Sequence, residues 1–224
     1  MKYHVSFDLD FKRNPYKGTF IAFEGIDGSG KSAQASILSQ RFGKKKDIVF
    51  TKEPWDEGVI GGFIRNEILS HKTSVAPVGL QYLFCADRAD HLARVVEPSL
   101  KEGKTVITER YFWSSIPYGL FDVEKDSSNA KHMLLSAYSI LSYYHQFMLP
   151  DYTFYLSISL DTAMKRLETK EHKELYEKKE KLEKIIKGYE WLTKEFPHEF
   201  IEIDGEQPME KVTEEIISHM STKL

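Results

Sequence analysis

The stretch FEGIDGSGKSAQ, residues 23–34, decides the fold of this chain. It fits the pattern G-x-x-x-x-G-K-[ST], with Gly25, Gly30, Lys31 and Ser32 at the fixed positions. The run before it is apolar and rich in β-forming residues, and the run after it repeats apolar residues with helical spacing. A strand, a glycine-rich loop and a helix in this order predict a phosphate-binding loop.

Each residue type in this loop has a chemical reason. Glycines let successive backbone N–H groups point at an anion, and the N-terminus of the following helix adds positive potential. Lys31 reaches the β- and γ-phosphates of a nucleotide, and the Ser32 hydroxyl is a ligand for Mg²⁺. The pattern does not separate kinases from GTPases, motor ATPases or nucleotide sensors, and a turn that binds nothing is the alternative. The predicted nucleotide-binding residues of the loop are Gly25, Ile26, Asp27, Gly28, Ser29, Gly30, Lys31 and Ser32.

The composition narrows the class of protein. A chain of 224 residues is long enough for one domain with a substantial core. Its formal net charge of −3 argues against nucleic acid or an anionic membrane as a partner. The only cysteine, Cys85, excludes an internal disulfide and fits a reducing compartment. No apolar run reaches membrane-spanning length, so we expect a cytoplasmic protein that binds neither nucleic acid nor membrane.

Strand-like and helix-like segments alternate along the chain, which predicts an α/β fold with a five-stranded parallel sheet covered by helices on both faces. Ligands of such sheets bind at the carboxyl ends of the strands. Glu24, Thr51, Glu53, Glu109 and Arg110 fall at predicted strand ends and are therefore candidate site residues, although such residues also cap helices. The predicted strands are GTFIAFE, DIVFT, KTVITER, DYTFYLSIS and EFIEID.

Two segments lie outside this alternation. Residues 3–11, YHVSFDLDF, alternate apolar and polar side chains, which predicts an added edge strand or an arm that packs on the domain. A disordered tail is the alternative.

Residues 165–190 form a helical run rich in lysine and glutamate. It is either a solvated helix with i,i+4 ion pairs or a cationic lid that closes over a phosphate-transfer site.

Further segments occur along the chain in a distinctive order: FEGIDGSGKS (23–32), TKEPWDEGVIGGFIR (51–65), FCADRADH (84–91), ITERYFWSSIPYG (107–119) and LPDYTFYLSISLDTAMKR (149–166). Their order and spacing resemble those of thymidylate kinases. The resemblance covers roughly residues 18–220 and implies the P-loop kinase fold, with a helical lid at about residues 165–182. It divides the chain into an N-terminal extension, residues 1–17, and a kinase-like domain, residues 18–224.

The resemblance implies transfer of the γ-phosphate of ATP to dTMP, with ATP and Mg²⁺ as cofactors and a homodimer as the assembly. Two polyanions must meet in line, so cations have to surround the transferred group. The implied catalytic residues include Lys31, Arg110 and Glu109. The implied role of Arg110 is to bind the acceptor phosphate, and Glu109 stands where the family usually has aspartate. Ser32 and Glu109 are the implied metal ligands. Gly28 occupies the place of the catalytic arginine that some relatives carry in the loop, so the lid lysines Lys170 and Lys173 are the implied substitutes.

The resemblance also implies how the two nucleotides are held. Phe84 stacks on the thymine base, and Arg88, one turn later, donates to its carbonyl oxygen. Asp27 accepts from the sugar 3′-hydroxyl, and Tyr118 crowds the 2′ position. On the donor side, Arg166 stacks on adenine, opposite the segment 203–212. The implied acceptor-binding residues are Asp27, Glu53, Arg65, Phe84, Arg88, Arg110, Ser114, Ser115, Tyr118 and Tyr176.

The chain departs from the family pattern in places that leave its exact acceptor open. Gly119 stands where the family usually has a polar side chain, which removes one contact with the base. A kinase for another pyrimidine deoxynucleotide, a deoxynucleoside kinase, and a nucleotide-binding module without turnover are the alternatives. The tyrosine after Glu109 and Arg110 favours a monophosphate kinase, and the absence of an N-K-x-D segment disfavours a GTPase.

Overall fold

The computed structural model describes residues 6, 8, 10–43, 47–123, 138–168 and 179–220, without the side chains of 120–123. Strands alternate with helices through these ranges, as predicted. The strands are β1 (Lys12–Arg13), β2 (Phe20–Glu24), β3 (Ile48–Lys52), β4 (Thr105–Glu109), β5 (Met148–Leu149), β6 (Tyr152–Ser157) and β7 (Ile201–Asp204). The helices are α1 (Lys31–Phe42), α2 (Val59–Phe63), α3 (Pro77–His91), α4 (Glu97–Lys101), α5 (Ser115–Val123), α6 (138–144), α7 (Leu160–Leu167), α8 (Lys179–Glu195) and α9 (Met209–Met220).

Five strands form one parallel sheet in the order β3-β4-β2-β6-β7, which confirms the predicted fold class. Short π-helical segments extend two helices: Ile64–Leu69 continues α2, and Leu92–Val96 joins α3 to α4. Strand β2 lies in the centre, between β4 and β6. The loop that follows β2 is therefore flanked by the ends of both neighbouring strands, and the three form one edge of the site.

The central strand shows why both faces of the sheet are covered. Every residue of β2 is buried, and successive side chains point to opposite faces. Phe20 and Ala22 belong to the larger core, which includes residues of α3, α5, α6 and α8. Ile21 and Phe23 belong to a second core formed with α1 and α9. A strand buried on both faces reads as a continuous apolar run, which is what the sequence FIAF shows.

The N-terminal extension pairs outside the central sheet. Strand β1 forms a separate two-stranded parallel sheet with β5 and, in the part of the extension that the structure describes, no strand pairs with the main sheet. Phe11 packs against Phe112, Trp113 and Phe196, which fits the predicted docking arm. The other alternating apolar residues of this segment, Tyr3, Val5, Phe7 and Leu9, lie outside the described residues.

Asp151, from the family-like P-D-x-T segment, fixes the beginning of the central strand. Its carboxylate accepts hydrogen bonds from the backbone N–H of Phe20 at 2.9 Å and from Asn14 Nδ2 at 2.7 Å. The motif therefore acts on the fold, at the end of the sheet opposite the phosphate-binding loop.

The predicted lid is described only at its two ends. Arg166 lies in the last turn of α7, and Lys179 begins α8, whereas Lys170, Lys173 and Tyr176 lie outside the described residues. Within the described ranges, each helix is too short or too polar to cross a membrane.

Candidate active site

The phosphate-binding loop has the backbone that its glycines predict. Gly25, Gly28 and Gly30 have φ values of 137°, 83° and 100°, which L side chains rarely adopt. A Cβ atom on Gly25 would lie 2.7 Å from the carbonyl oxygen of Leu156, so space as well as conformation requires glycine there. Helix α1 begins at Lys31, directly after the loop, and directs its N-terminal N–H groups towards it.

Lys31 is buried under its own loop. Its Nζ donates to the carbonyl oxygens of Gly25 at 3.1 Å and Ile26 at 2.8 Å, and to Ser29 Oγ at 3.4 Å. Burial, together with the positive charge of Arg110, lowers the pKa of Lys31 to about 8. The ammonium group is thus held by neutral acceptors, which a polyphosphate can replace with charged oxygens.

Arg110 connects this loop to the neighbouring cavity. Its Nη1 donates to the carbonyl oxygen of Gly25 and to Ser114 Oγ, both at 3.2 Å, and its Nη2 forms an ion pair with Asp27 Oδ1 at 2.6 Å. The guanidinium stacks on the ring of Tyr118, 4.8 Å from the centroid. Arg110 has a φ of +70°, which is strained for a non-glycine residue. The end of β4 therefore holds the side chain in this position through an unusual backbone.

Ser32 and Glu109 come together beside the loop. The Ser32 hydroxyl donates to Glu109 Oε2 at 2.7 Å. Burial opposes ionisation of Glu109, but Lys31, the Ser32 hydroxyl and Arg110 outweigh it and hold the pKa of Glu109 below its usual value. The described residues contain no group of three or more histidine, cysteine or acidic side chains placed to hold a metal ion. One hydroxyl and one carboxylate fit Mg²⁺, which takes few protein ligands beside phosphate and water oxygens.

The predicted acceptor-binding residues converge on one cavity, with Tyr176 alone outside the described ranges. Pro54, Leu69 and Asp87 also line this cavity, and sequence reasoning did not identify them. Arg65 reaches it from the π-helical segment after α2, where its Nε donates to the carbonyl oxygen of Pro54 at 2.7 Å. The predicted residues in the lining are Asp27, Glu53, Arg65, Phe84, Arg88, Arg110, Ser114, Ser115 and Tyr118.

A buried ion pair fixes Arg88 in the wall of this cavity. Its Nε and Nη2 contact Glu53 Oε2 at 2.6 and 2.5 Å, and its Nη1 donates to Ser115 Oγ at 3.2 Å. Glu53 also accepts from His91 Nδ1 at 3.1 Å, and His91 Nε2 bonds to Thr51 Oγ1 at 2.6 Å. Burial opposes ionisation of Glu53, but Arg88 and His91 hold its pKa below the usual value. The guanidinium is thus held as a fixed donor.

Two buried acids, Glu24 and Asp87, help to form the site; from the sequence, Glu24 was a candidate without its partners, and Asp87 was not identified. Glu24 accepts hydrogen bonds from Ser114 Oγ at 2.5 Å and Tyr189 OH at 2.8 Å, which ties β2 to the segment after β4 and to α8. Asp87 accepts from the backbone N–H of Trp55 at 3.0 Å, and burial raises its pKa to about 6. Sequence placed Glu24 at a strand end, but its partners are distant in the chain, and no local signal identifies them.

A second groove opens on the other side of the loop. Arg166 crosses it, donating from Nη1 to the carbonyl oxygen of Gly28 at 3.1 Å and from Nη2 to that of Gly205 at 3.0 Å. The predicted segment 203–212 contributes Gly205, Gln207 and Met209 to the same groove. The loop therefore lies between two binding spaces, and Asp27 and Arg110 lie on the side of the first.

Comparison with known proteins agrees with this arrangement. The family model described as Thymidylate kinase matches residues 23–216. A protein of Methanocaldococcus jannaschii named "Probable thymidylate kinase" is 37% identical over 203 residues, covering 90% of this chain and 95% of its own. The Thymidylate kinase of Staphylococcus epidermidis is 33% identical over 88% of this chain and 94% of its own length. The Thymidylate kinase of Thermoanaerobacter sp. is 33% identical over 90% of this chain and 96% of its own length. The chain therefore belongs to the thymidylate kinase family.

Proposed function

We propose that this chain transfers the γ-phosphoryl group of ATP to dTMP, giving ADP and dTDP, in the synthesis of dTTP. The observation that carries the proposal is the position of Arg110. Its guanidinium contacts the phosphate-binding loop at Gly25 and lines the cavity that contains Phe84 and Arg88. One cation therefore touches the space for the donor phosphates and the space for an acceptor nucleotide.

In the proposed reaction, a 5′-phosphate oxygen of dTMP forms a bond to the γ-phosphorus, and the bond from that phosphorus to the β,γ-bridging oxygen of ATP breaks. The chain contributes position and charge, since the reaction needs little covalent chemistry from the protein. Lys31 exchanges its carbonyl partners for β- and γ-phosphate oxygens. Arg110 binds oxygens of the acceptor phosphate and of the moving group through its planar fork.

The other residues have supporting roles in this proposal. Ser32 and Glu109 hold Mg²⁺, which neutralises charge on the β- and γ-phosphates when it is bound. Phe84 stacks on the base, Arg88 donates to a base carbonyl, and Arg166 covers the adenine. Asp27 and Tyr118 contact the sugar. Glu53, Arg65, Ser114 and Ser115 complete the acceptor cavity.

An ADP-release assay with ATP and Mg²⁺ tests the proposal across dTMP, dUMP, dCMP, dGMP and thymidine. We expect turnover with dTMP to be the fastest and thymidine to be inert, because Arg110 and Arg65 line the cavity where a 5′-phosphate would lie. Turnover of thymidine in preference to dTMP would establish a deoxynucleoside kinase instead. ATP binding without turnover of any acceptor would establish a nucleotide-binding module.

The lid provides a separate test. We propose that Lys170 or Lys173 supplies the cation that other members place in the loop or lid as arginine. In single-turnover kinetics, Lys170→Ala or Lys173→Ala should slow phosphoryl transfer at least about tenfold, roughly 1.4 kcal/mol. If neither substitution does so, the lid lysines do not act on the transferred phosphate.

We also propose that the chain forms a homodimer. Helices α2 and α3 pack against each other and carry the exposed side chains of Phe63, Val78 and Tyr82. Large apolar side chains at the surface are typical of protein interfaces. Light scattering after size-exclusion chromatography should give twice the chain mass, and Val78→Glu should reduce it to the monomer.

A further inference from the structure

Gln81 in α3 is a buried amide without hydrogen bonds to the described residues. Its side chain is 3% exposed, and neither Oε1 nor Nε2 has a partner there. Buried polar atoms in folded proteins are almost always paired, because an unpaired group keeps the full cost of losing water. With respect to the described residues, both polar atoms of this amide are therefore available to a ligand.

The helix places this amide beside the acceptor cavity. Gln81 lies three residues before Phe84 and seven before Arg88, so the three share one face of α3. Phe84 and Arg88 both line the cavity, at the end where the proposed function puts the base. Gln81 is the next position on this face, one turn further towards the N-terminus of the helix.

The facing helix leaves room for the amide. A Cβ atom on Gly119 of α5 would lie 2.9 Å from Gln81 Cδ and 3.0 Å from Nε2, so any larger residue at 119 would displace the amide. Tyr118 and Ser115, the preceding residue and the residue one turn earlier, both line the cavity. The missing side chain at 119 and the buried amide at 81 therefore occupy one space between α3 and α5.

We propose that Gln81 reads the N3 edge of the acceptor base, Oε1 accepting the N3–H hydrogen and Nε2 donating to an adjacent ring carbonyl. This inference rests on the proposed function. Gln81 does not itself line the cavity, so this reading requires its side chain to rotate about its own torsions, past Phe84, from the α3–α5 interface to the base. Thymine and uracil carry N3–H beside carbonyl oxygens, whereas cytosine has an unprotonated N3 beside an amino group.

Arg88 makes this reading directional. An amide alone can rotate by half a turn and pair with cytosine as well as with thymine. Arg88 only donates, and its ion pair with Glu53 fixes its position, so a cytosine amino group is excluded beside it. Together, the two residues select a base with a carbonyl at position 4 and a hydrogen on N3.

The test combines Gln81→Met, which keeps the unbranched shape, with a substrate analogue that lacks the hydrogen. KM and kcat are measured for dTMP and for dTMP methylated at N3, with both the natural protein and the variant. The natural protein should prefer dTMP by at least tenfold in kcat/KM. Gln81→Met should raise the KM for dTMP about tenfold, leave kcat within about twofold, and reduce that preference to less than about threefold.

The melting temperature separates this role from a structural one. Gln34 is equally buried, but its amide donates to the carbonyl oxygen of Met209 at 3.0 Å and accepts from Thr213 Oγ1 at 2.7 Å. Gln34→Met should lower the melting temperature and leave the preference for dTMP over the N3-methyl analogue unchanged. Gln81→Met should leave the melting temperature unchanged or raise it.

Four results would overturn the inference. If Gln81→Met weakens the use of dTMP and of its N3-methyl analogue by the same factor, or lowers the melting temperature as Gln34→Met does, the amide is a packing residue only. Gln81→Leu is measured in the same way, so a folding defect peculiar to methionine does not decide the result. If the natural protein does not turn over dTMP, the proposed function fails as well. If the natural protein turns over dTMP and Gln81→Met has the same kinetics, this inference alone fails.

Discussion

Two arginines line the proposed acceptor cavity, and their surroundings differ. We call the part around Arg88, where we propose that the base binds, the base end, and the part around Arg110, where we propose that the phosphates bind, the phosphate end. Arg88, at the base end, is paired with Glu53, and each side chain is only 4% exposed. Arg110, at the phosphate end, is paired with Asp27, with side-chain exposures of 14% and 20%. It also donates to neutral groups, the Gly25 carbonyl and the Ser114 hydroxyl. One charge is neutralised in the core, and the other lies at the rim with partners that a ligand can replace.

The difference follows from the two ends of a nucleotide monophosphate. A base offers neutral carbonyl oxygens, which need a donor in a fixed place, and a buried counter-ion supplies that without leaving an unpaired charge in the core. A phosphate carries negative charge and needs positive potential. The cations near it are therefore most effective where they can give up weak partners. The comparison assigns stability to the base end and activity to the phosphate end.

The largest expected effect is on catalysis at the phosphate end. Arg110→Ala should lower kcat for dTMP about 1,000-fold, roughly 4 kcal/mol, because it removes the cation proposed to bind the transferred phosphoryl. Arg110→Lys keeps the charge without the planar fork and should recover only part of the loss. The free energy of unfolding of Arg110→Ala, from urea titration, should change by less than about 1 kcal/mol. If Arg110→Ala instead lowers the free energy of unfolding by several kcal/mol, Arg110 contributes to stability as Arg88 does, and the difference between the two arginines is lost.

The next effect is on stability at the base end. Glu53→Gln keeps the shape of the side chain but leaves the Arg88 charge buried without its counter-ion, so it should cost about 3 kcal/mol of unfolding free energy. Asp90→Asn, on the helix α3 that also carries Arg88, is the control, since it breaks the exposed ion pair with Arg94 and should cost less than about 1 kcal/mol. Equal losses in the two variants would show that burial of the pair does not matter.

Part of the fold and of the site could be predicted from the sequence. The loop glycines and the five strands follow from local patterns, because spacing along a strand or helix decides which side chains share an edge or face. The acceptor-cavity residues, Arg88 and Phe84 among them, were instead implied by the resemblance to thymidylate kinases. For the N-terminal extension, the packing of Phe11 agrees with the predicted docking arm. The edge strand predicted over residues 3–11 lies mostly outside the described residues, and β1, which follows it, pairs with β5.

Partners that are distant in the chain could not be predicted. Glu24 and Tyr189 are 165 residues apart, and Glu53 and His91 are 38 apart, so their hydrogen bonds exist only after the helices pack. The positive φ of Arg110 is also a tertiary property, since an isolated arginine avoids that conformation. Nothing in the sequence distinguishes Gln81 from other helix residues, because its position opposite Gly119 depends on the packing of α3 against α5.

A smaller effect concerns the proposed metal ligands at the phosphate end. Glu109→Gln removes the carboxylate charge beside Ser32, so the free Mg²⁺ concentration that gives half-maximal activity should rise about 30-fold, roughly 2 kcal/mol. Glu57→Gln is the matched control, because Ser32, Glu109 and Glu57 line one surface groove, which is distinct from the groove that Arg166 crosses. Equal shifts in the two variants would mean that only the general negative potential of the groove attracts Mg²⁺.

The smallest effect is a pH dependence that acts on activity and stability in opposite directions. Burial and Arg110 lower the pKa of Lys31 to about 8, from 10.5 for an exposed lysine. At a pH between these two pKa values, the unfolded chain binds more protons than the folded protein. The contribution of Lys31 therefore makes the free energy of unfolding rise with pH in this range. Phosphate binding needs the charged form, so affinity for a non-hydrolysable ATP analogue should fall about tenfold between pH 7 and pH 9.

Calorimetric titration of that analogue across the range measures the slope, and Lys31→Arg provides the control, since arginine keeps its charge throughout and should give a flat profile. A flat profile in the natural protein would place the pKa of Lys31 well above 9. Its bonds to the carbonyls of Gly25 and Ile26 would then stabilise the charge more than burial opposes it. In that case the phosphate end would hold its cation as firmly as the base end holds Arg88, and the contrast between weakly and firmly held cations would be lost.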